Sequence, residues 1–148
     1  MFLRTEFDVG PAHFLAIWQV VTATGQERFL ATREFVLAGA DGAIFVADAS
    51  PGREEDNLRS FQELVALTRR MAIPVTVQLN KTDVEGAMTP GDLADLLAIP
   101  HDSVLSAVAV RGEGVEETFN ENSSLVLQGF FARAVKAGAR ASTSSAEG

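Results

Sequence analysis

The sequence predicts an α/β fold with a mostly parallel sheet, entered through an antiparallel hairpin. Three observations predict it. Strand-length apolar runs alternate with segments of helical periodicity along most of the chain, the order that builds parallel sheets. Residues 43–47, Ala-Ile-Phe-Val-Ala, are apolar throughout, as in strands covered on both faces. Gly10-Pro11 divides two strand-like runs near the start, a turn signal that folds them back on each other.

Taken in order, residues 2–9 and 13–21 form the hairpin strands, and residues 28–38 read as a helix stopped by Gly39. Residues 43–47 are the first buried strand. Leu58, Phe61, Val65, Thr68 and Ala72 recur at helical spacing, so residues 54–71 form an amphipathic helix over the sheet. Residues 75–79 are the next strand. Pro90 then stands in the first turn of a helix running to Leu97, with Thr89 as its N-cap. Residues 104–108 are the last strand, and Val115, Phe119, Val126 and Phe130 are expected to line one face of a long C-terminal helix. Residues 139–148 are small and polar and read as a disordered tail, which leaves residues 1–138 as one domain.

Composition narrows the function classes. A chain of 148 residues that is 47% hydrophobic and 22% charged can bury a real core. A formal charge of −8 argues against a protein that tracks nucleic-acid phosphates. The absence of Cys removes disulfides, thiolate metal sites and cysteine nucleophiles, and suits a reducing cytoplasm. His13 and His101 are the only histidines, and neither has the spacing of a catalytic or metal-binding set. No run reaches transmembrane length, and Met1 is not followed by a signal-peptide pattern.

The chemistry-bearing residues gather in a short loop. Asn80-Lys81-Thr82-Asp83 follows the apolar run 73–79, at the C-terminal end of a strand, where open α/β sheets place ligands. A fixed Asp83 carboxylate can accept hydrogen bonds from both N1–H and the exocyclic N2 of guanine, a donor pair that adenine lacks. Asn80 can tie neighbouring loops together, and the Lys81 stem can lie over the ring plane as apolar cover. A polar turn with no ligand gives the same short string, so its order among other motifs carries the weight.

Upstream, Thr22-Ala23-Thr24-Gly25-Gln26-Glu27-Arg28-Phe29 follows the apolar stretch 14–21. Downstream, Val108-Ala109-Val110-Arg111-Gly112-Glu113-Gly114-Val115 ends a strand and opens a helix. In this order the three segments resemble the third, fourth and fifth signature motifs of the Ras-like small GTPases. They are most similar to those of the bacterial MglA-like class of gliding motility and polarity. That class carries Thr, where most Ras relatives carry Asp, four residues before the switch II Gln, and Thr22 stands there. Ala31-Thr32-Arg33 and residues 39–48 also look like that class, and the resemblance spans residues 9–137.

The resemblance implies a Ras-like, P-loop NTPase-type three-layer fold. It implies a molecular switch that binds guanine nucleotide, GTP or GDP with Mg²⁺, and hydrolyses GTP to GDP. Gln26 then orients the attacking water. Gly25 brings its backbone N–H to the γ-phosphate, and Thr22 touches a metal-bound water. Asn80, Lys81 and Asp83 read the base, and the Ala109 N–H addresses guanine O6. No residue is assigned as a metal ligand. The class further implies a small roadblock-type activating protein as partner.

One motif is absent. A P-loop needs Gly-x-x-x-x-Gly-Lys-Ser/Thr, whose backbone amides cradle phosphates while the Lys neutralises them. The only lysines are Lys81 and Lys136, and neither stands in such a string. The family's first strand, central in its sheet, also has no counterpart. A truncated reading frame starting at an internal Met is the expected explanation, and this chain alone is expected to lack tight nucleotide binding. Loss of a central strand leaves unpaired backbone groups on both neighbours, the strand ending at Val21 and the strand at 43–47. Either those neighbours pair directly, or something else fills the gap, or this chain alone folds poorly. Thr5 stands too close to Gln26 for a switch I threonine and reads as a strand residue. The alternative function is a non-hydrolysing pseudo-GTPase, a protein-interaction module on the same fold.

Overall fold

The computed structural model describes residues 1–22 and 36–144, with side chains through residue 135. The chain divides into two compact units, Met1–Ala38 and Gly39–Gly148.

In the first unit β1 (Phe2–Val9) and β2 (Ala12–Gln19) pair antiparallel, from Phe2 opposite Gln19 to Val9 opposite Ala12. The loop between them is Gly10-Pro11, with Gly10 at φ +59°. Proline holds the following φ at about −65°, so the pair fits only a type II′ turn, whose twist matches that of the strands. Phe7 and Phe14 face each other and stack with ring centroids 5.7 Å apart. Trp18 Nε1 donates to Thr5 Oγ1 at 2.8 Å, so Thr5 is a strand residue. Most of the helix expected over 28–38 lies outside the described residues.

In the second unit β3 (Ala43–Asp48), β4 (Val75–Asn80) and β5 (Val104–Ala107) form a parallel sheet in the order β3-β4-β5. The crossovers are α1 (Glu54–Met71) and α2 (Pro90–Leu97), and α3 (Val115–Ser144) follows β5. This is the mixed α/β architecture that the sequence predicts. At the start of α2, Thr89 Oγ1 accepts from Asp92 N at 3.1 Å and Asp92 Oδ2 accepts from Thr89 N at 3.0 Å. Those bonds satisfy two orphan donors, with Pro90 in the first turn where its missing N–H is harmless.

The apolar core lies between the sheet and α1 and α2. Phe45, Ala47, Val77, Leu79 and Val104 of the strands meet Phe61 of α1 and Leu93, Ala94 and Leu97 of α2. The opposite face holds buried polar side chains. Gln78 Nε2 donates to Thr118 Oγ1 at 2.8 Å, and Asn122 Nδ2 donates to Ala43 O at 2.9 Å and to Thr76 Oγ1 at 3.1 Å. All four of these polar side chains are buried. The expected apolar seam on α3 is therefore corrected. Val115 and Phe130 are exposed, Phe119 and Val126 only partly buried, and among the described side chains of the helix Thr118, Asn122 and Ser123 are the buried ones. A helix docked through hydrogen-bonded groups leaves no apolar stripe in its sequence. It also continues to Ser144, into the stretch read as a tail, where Ala and Arg favour helix.

Among the described strands of the second unit, β3 is an edge of its sheet. The end of that edge is closed by a side chain. Ala43 N and Ala49 N donate towards β4, to Pro74 O and Asn80 O, which turns the Asp48 amide and carbonyl outward. Asn57 of α1 meets both: its Nδ2 donates to Asp48 O at 2.8 Å and its Oδ1 accepts from Asp48 N at 3.1 Å. A side-chain amide here supplies the two bonds a neighbouring strand would make.

Candidate functional site

β4 and β5 end side by side, Asn80 opposite Ala107, and the loops that leave them carry the polar side chains. Asn80 Oδ1 accepts from Ala109 N at 2.9 Å. Thr82 donates to Ala107 O from both its N, at 3.3 Å, and its Oγ1, at 3.2 Å. These bonds stitch the Asn80-to-Asp83 loop to the loop after β5. Lys81 lies at φ +65°, in the left-handed region uncommon for residues other than glycine. Its backbone closes a turn in which Val84 N donates to Lys81 O at 3.2 Å. Its Nζ reaches the end of β3 and donates to Asp48 Oδ2 at 2.7 Å. Burial pushes the Asp48 carboxyl up, but hydrogen bonds from Lys81 and Ser50 outweigh it and lower the pKa to about 2.

The loop after β5 is a closed turn. Val108 N donates to Glu113 O at 3.0 Å, Arg111 N to Val108 O at 2.9 Å, and Gly112 N to Ala109 O at 3.0 Å. Gly114, at φ +73°, ends the turn against β5, where a Cβ would collide with the Ser106 carbonyl oxygen and sit 2.9 Å from Ala107 Cα. Only glycine fits there. The buried polar network grips the same residue. Gln78 Nε2 donates to Gly114 O at 3.3 Å, and Thr118 Oγ1 donates to it at 2.6 Å.

Asp83 is held across the site. Arg111 Nη1 donates to Asp83 Oδ2 at 3.0 Å, while Arg111 Nε and Nη2 donate to the two oxygens of Glu113 at 2.7 and 3.2 Å. The hydrogen bonding between Arg111 and Glu113 pushes the guanidinium pKa up and holds the Glu113 carboxyl below its ordinary value. Val110, 94% exposed, stands between Ala109 and Arg111 as bare apolar surface.

The fold thus brings Asn80, Lys81, Asp83 and Ala109 to one edge of the sheet. The Ala109 N–H, read from sequence as free for a ligand, is donated to Asn80, and the Lys81 head is bound to Asp48. Thr22 is an exposed residue past the end of β2, and Gly25 and Gln26 lie outside the described residues. Among the described residues no three His, Cys, Asp or Glu side chains converge to hold a metal ion. Sequence reasoning gave no role to Asp48, Arg111 or Glu113. Asp48 had a signal, since it ends β3 as the Asn80 loop ends β4.

No protein-family model matches the chain. Mutual gliding-motility protein MglA of Myxococcus xanthus is 33% identical over 119 residues, which are 77% of this chain and 61% of that protein. ADP-ribosylation factor-like protein 6 of Caenorhabditis briggsae is 31% identical over 108 residues, 68% of this chain and 57% of that one. ADP-ribosylation factor-like protein 14 of Mus musculus is 26% identical over 115 residues, 72% of this chain and 58% of that one. The chain belongs to the Ras-like small GTPase superfamily. It spans 57–61% of the length of these relatives. The segments that resemble the superfamily's fourth and fifth motifs stand at the ends of β4 and β5, on the edge just described. No helix among its described residues is long and apolar enough to cross a membrane.

Proposed function

We propose that this edge reads guanine, and that the chain is the base-reading part of a GTP-dependent molecular switch of the MglA-like class. The observation that carries the reading is the bond between Asn80 Oδ1 and Ala109 N, 2.9 Å, which sets the Asp83 loop beside the Ala109 loop. Asp83 then accepts from N1–H and N2–H of guanine, and the Ala109 N–H turns from Asn80 to guanine O6. The Lys81 stem and Val110 supply apolar cover for the ring. In the switch GTP becomes GDP, with Gln26 orienting the attacking water and Thr22 and Gly25 at the phosphate end. The Mg²⁺ expected with GTP or GDP would neutralise charge on the phosphates. A cytoplasmic setting, a roadblock-type activator and a role in polarity or gliding motility follow by analogy with the class.

Phosphate contacts are charge-assisted bonds of about 1.5–3 kcal/mol each, and losing three costs roughly 4.5–9 kcal/mol, or about three to six decades of affinity. With no P-loop string in its 148 residues, the chain is expected to bind GDP weakly yet prefer it to ADP. Calorimetry with GDP·Mg²⁺ and ADP·Mg²⁺ tests this. Equal binding of the two contradicts the base reading, and sub-micromolar GDP binding reveals a phosphate site of another kind. The reading as a non-hydrolysing interaction module is favoured by one observation: Lys81 and Asp83 already have partners inside the protein. The same titration selects it if neither nucleotide binds.

A further inference from the structure

We propose that Arg111 is a latch on the base-reading carboxylate: without nucleotide its guanidinium holds Asp83, and guanine binds by exchanging for it. The proposal rests on the guanine reading above. The exchange replaces one N–H donor on Asp83 with two of the same kind. The N1–C2–N2 edge of guanine and the guanidinium of arginine share one planar unit, a carbon flanked by N–H donors. A carboxylate fixed to receive one is fixed to receive the other.

The geometry has the parts an exchange needs. Arg111 gives only Nη1 to Asp83, at 3.0 Å, while Nε and Nη2 are held by Glu113 at 2.7 and 3.2 Å. When a base takes Asp83, Glu113 keeps the guanidinium, so no cation is stranded. The ion pair is accessible, with the Arg111 side chain 50% and the Asp83 side chain 34% exposed. A pair at such exposure is weak and screened by salt, which lets a neutral ligand displace it. Arg111 and Ala109 share one tight turn, closed by Arg111 N donating to Val108 O at 2.9 Å. Both groups that face the base therefore have an internal substitute, Arg111 for Asp83 and Asn80 for the Ala109 amide. The ligand-free site satisfies its own polar groups.

The test is an NMR titration of the 148-residue chain with guanosine, followed at the Ala109 amide. Guanosine is neutral, so removing the Arg111 charge has no phosphate to act on. Arg111→Gln is expected to bind guanosine roughly two- to five-fold more tightly than the wild-type chain, the size of an exposed ion pair. Added NaCl is expected to tighten guanosine binding in the wild-type chain and leave Arg111→Gln unchanged. The salt series needs no substitution, so it stands even if a variant misfolds. Asp83→Asn is expected to lose guanosine in either background. If Asp83→Asn loses guanosine while Arg111→Gln binds equally or more weakly, the latch is overturned and the base reading survives. If Asp83→Asn binds as the wild type does, or no form shifts, the base reading fails and takes the latch with it.

Discussion

The two faces of the β3-β4-β5 sheet are held by different chemistry. Under α1 and α2 the contacts are apolar, with Leu79 and Leu93 fully buried among Phe45, Phe61 and Leu97. Under α3 the contacts are hydrogen bonds from Gln78, Thr118 and Asn122. Burial of apolar surface is non-directional, so the first face stabilises the sheet without aiming anything. Hydrogen bonds are directional, and those of Gln78 and Thr118 end on the Gly114 carbonyl, where the turn carrying Ala109 and Arg111 rejoins the helix. One face supplies stability and the other aims the site.

The largest test of that division is on the apolar side. Leu79→Ala or Leu93→Ala is expected to cost about 2–5 kcal/mol in urea unfolding, since each opens a cavity at a fully buried position. The Ala109 amide of the folded fraction should keep its resonance. A cost below about 1 kcal/mol would mean that face yields too readily to be the main support.

On the polar side, Thr118→Val removes the hydroxyl that receives Gln78 at 2.8 Å and donates to Gly114 O. A smaller cost of about 1–3 kcal/mol is expected, with Gln78 left poorly partnered. Here the Ala109 and Gly114 amide resonances should move. Lost stability without movement of those resonances contradicts the aiming role.

A still smaller effect is expected from acid. The Asp48 pKa lies at about 2 in the fold against an ordinary 3.8, so its contribution is complete above 3.8 and is lost as pH falls towards 2. With Lys81 half exposed, the contribution is about 1 kcal/mol. Urea midpoints compared across that window should converge for the wild-type chain and Lys81→Met as pH falls. Parallel pH profiles would remove the pair as a support for the base loop.

The smallest effect concerns a cap on the apolar side. Ala98 ends α2 at φ +53°, a left-handed position. Ala98→Gly is expected to add about 0.5 kcal/mol, since relief of roughly 1–2 kcal/mol of Cβ strain slightly exceeds the entropy glycine loses. Thermal unfolding checks the sign, and the loop resonances should not respond.

Legibility in the sequence followed the same division. The apolar strands, the periodic helix over 54–71 and the Thr89-Pro90 start of α2 were all readable, because burial and capping leave local patterns. The seat of α3 was not. Gln78 bonds Thr118 across 40 residues and Asn122 reaches Ala43 across 79, and neither leaves a period. The Asn80-to-Asp83 loop was visible from its position after an apolar strand. Its ion-pair partners were not, since Asp48 lies 33 positions from Lys81 and Arg111 lies 28 from Asp83. Asn57 closing the β3 edge was equally silent, one polar residue among many on the start of a helix.

The central claim is that Asp83 reads the base, and competition between guanosine and xanthosine tests it most directly. Xanthine carries a carbonyl where guanine carries the N2 amino group, so an amide N–H₂ suits it and a carboxylate does not. An unpaired buried polar group costs roughly 1–3 kcal/mol, enough to change a preference by about five- to a hundredfold. The wild-type chain is expected to prefer guanosine, and Asp83→Asn to prefer xanthosine. The same preference before and after the substitution would contradict the claim and leave Asp83 as a turn residue paired with Arg111.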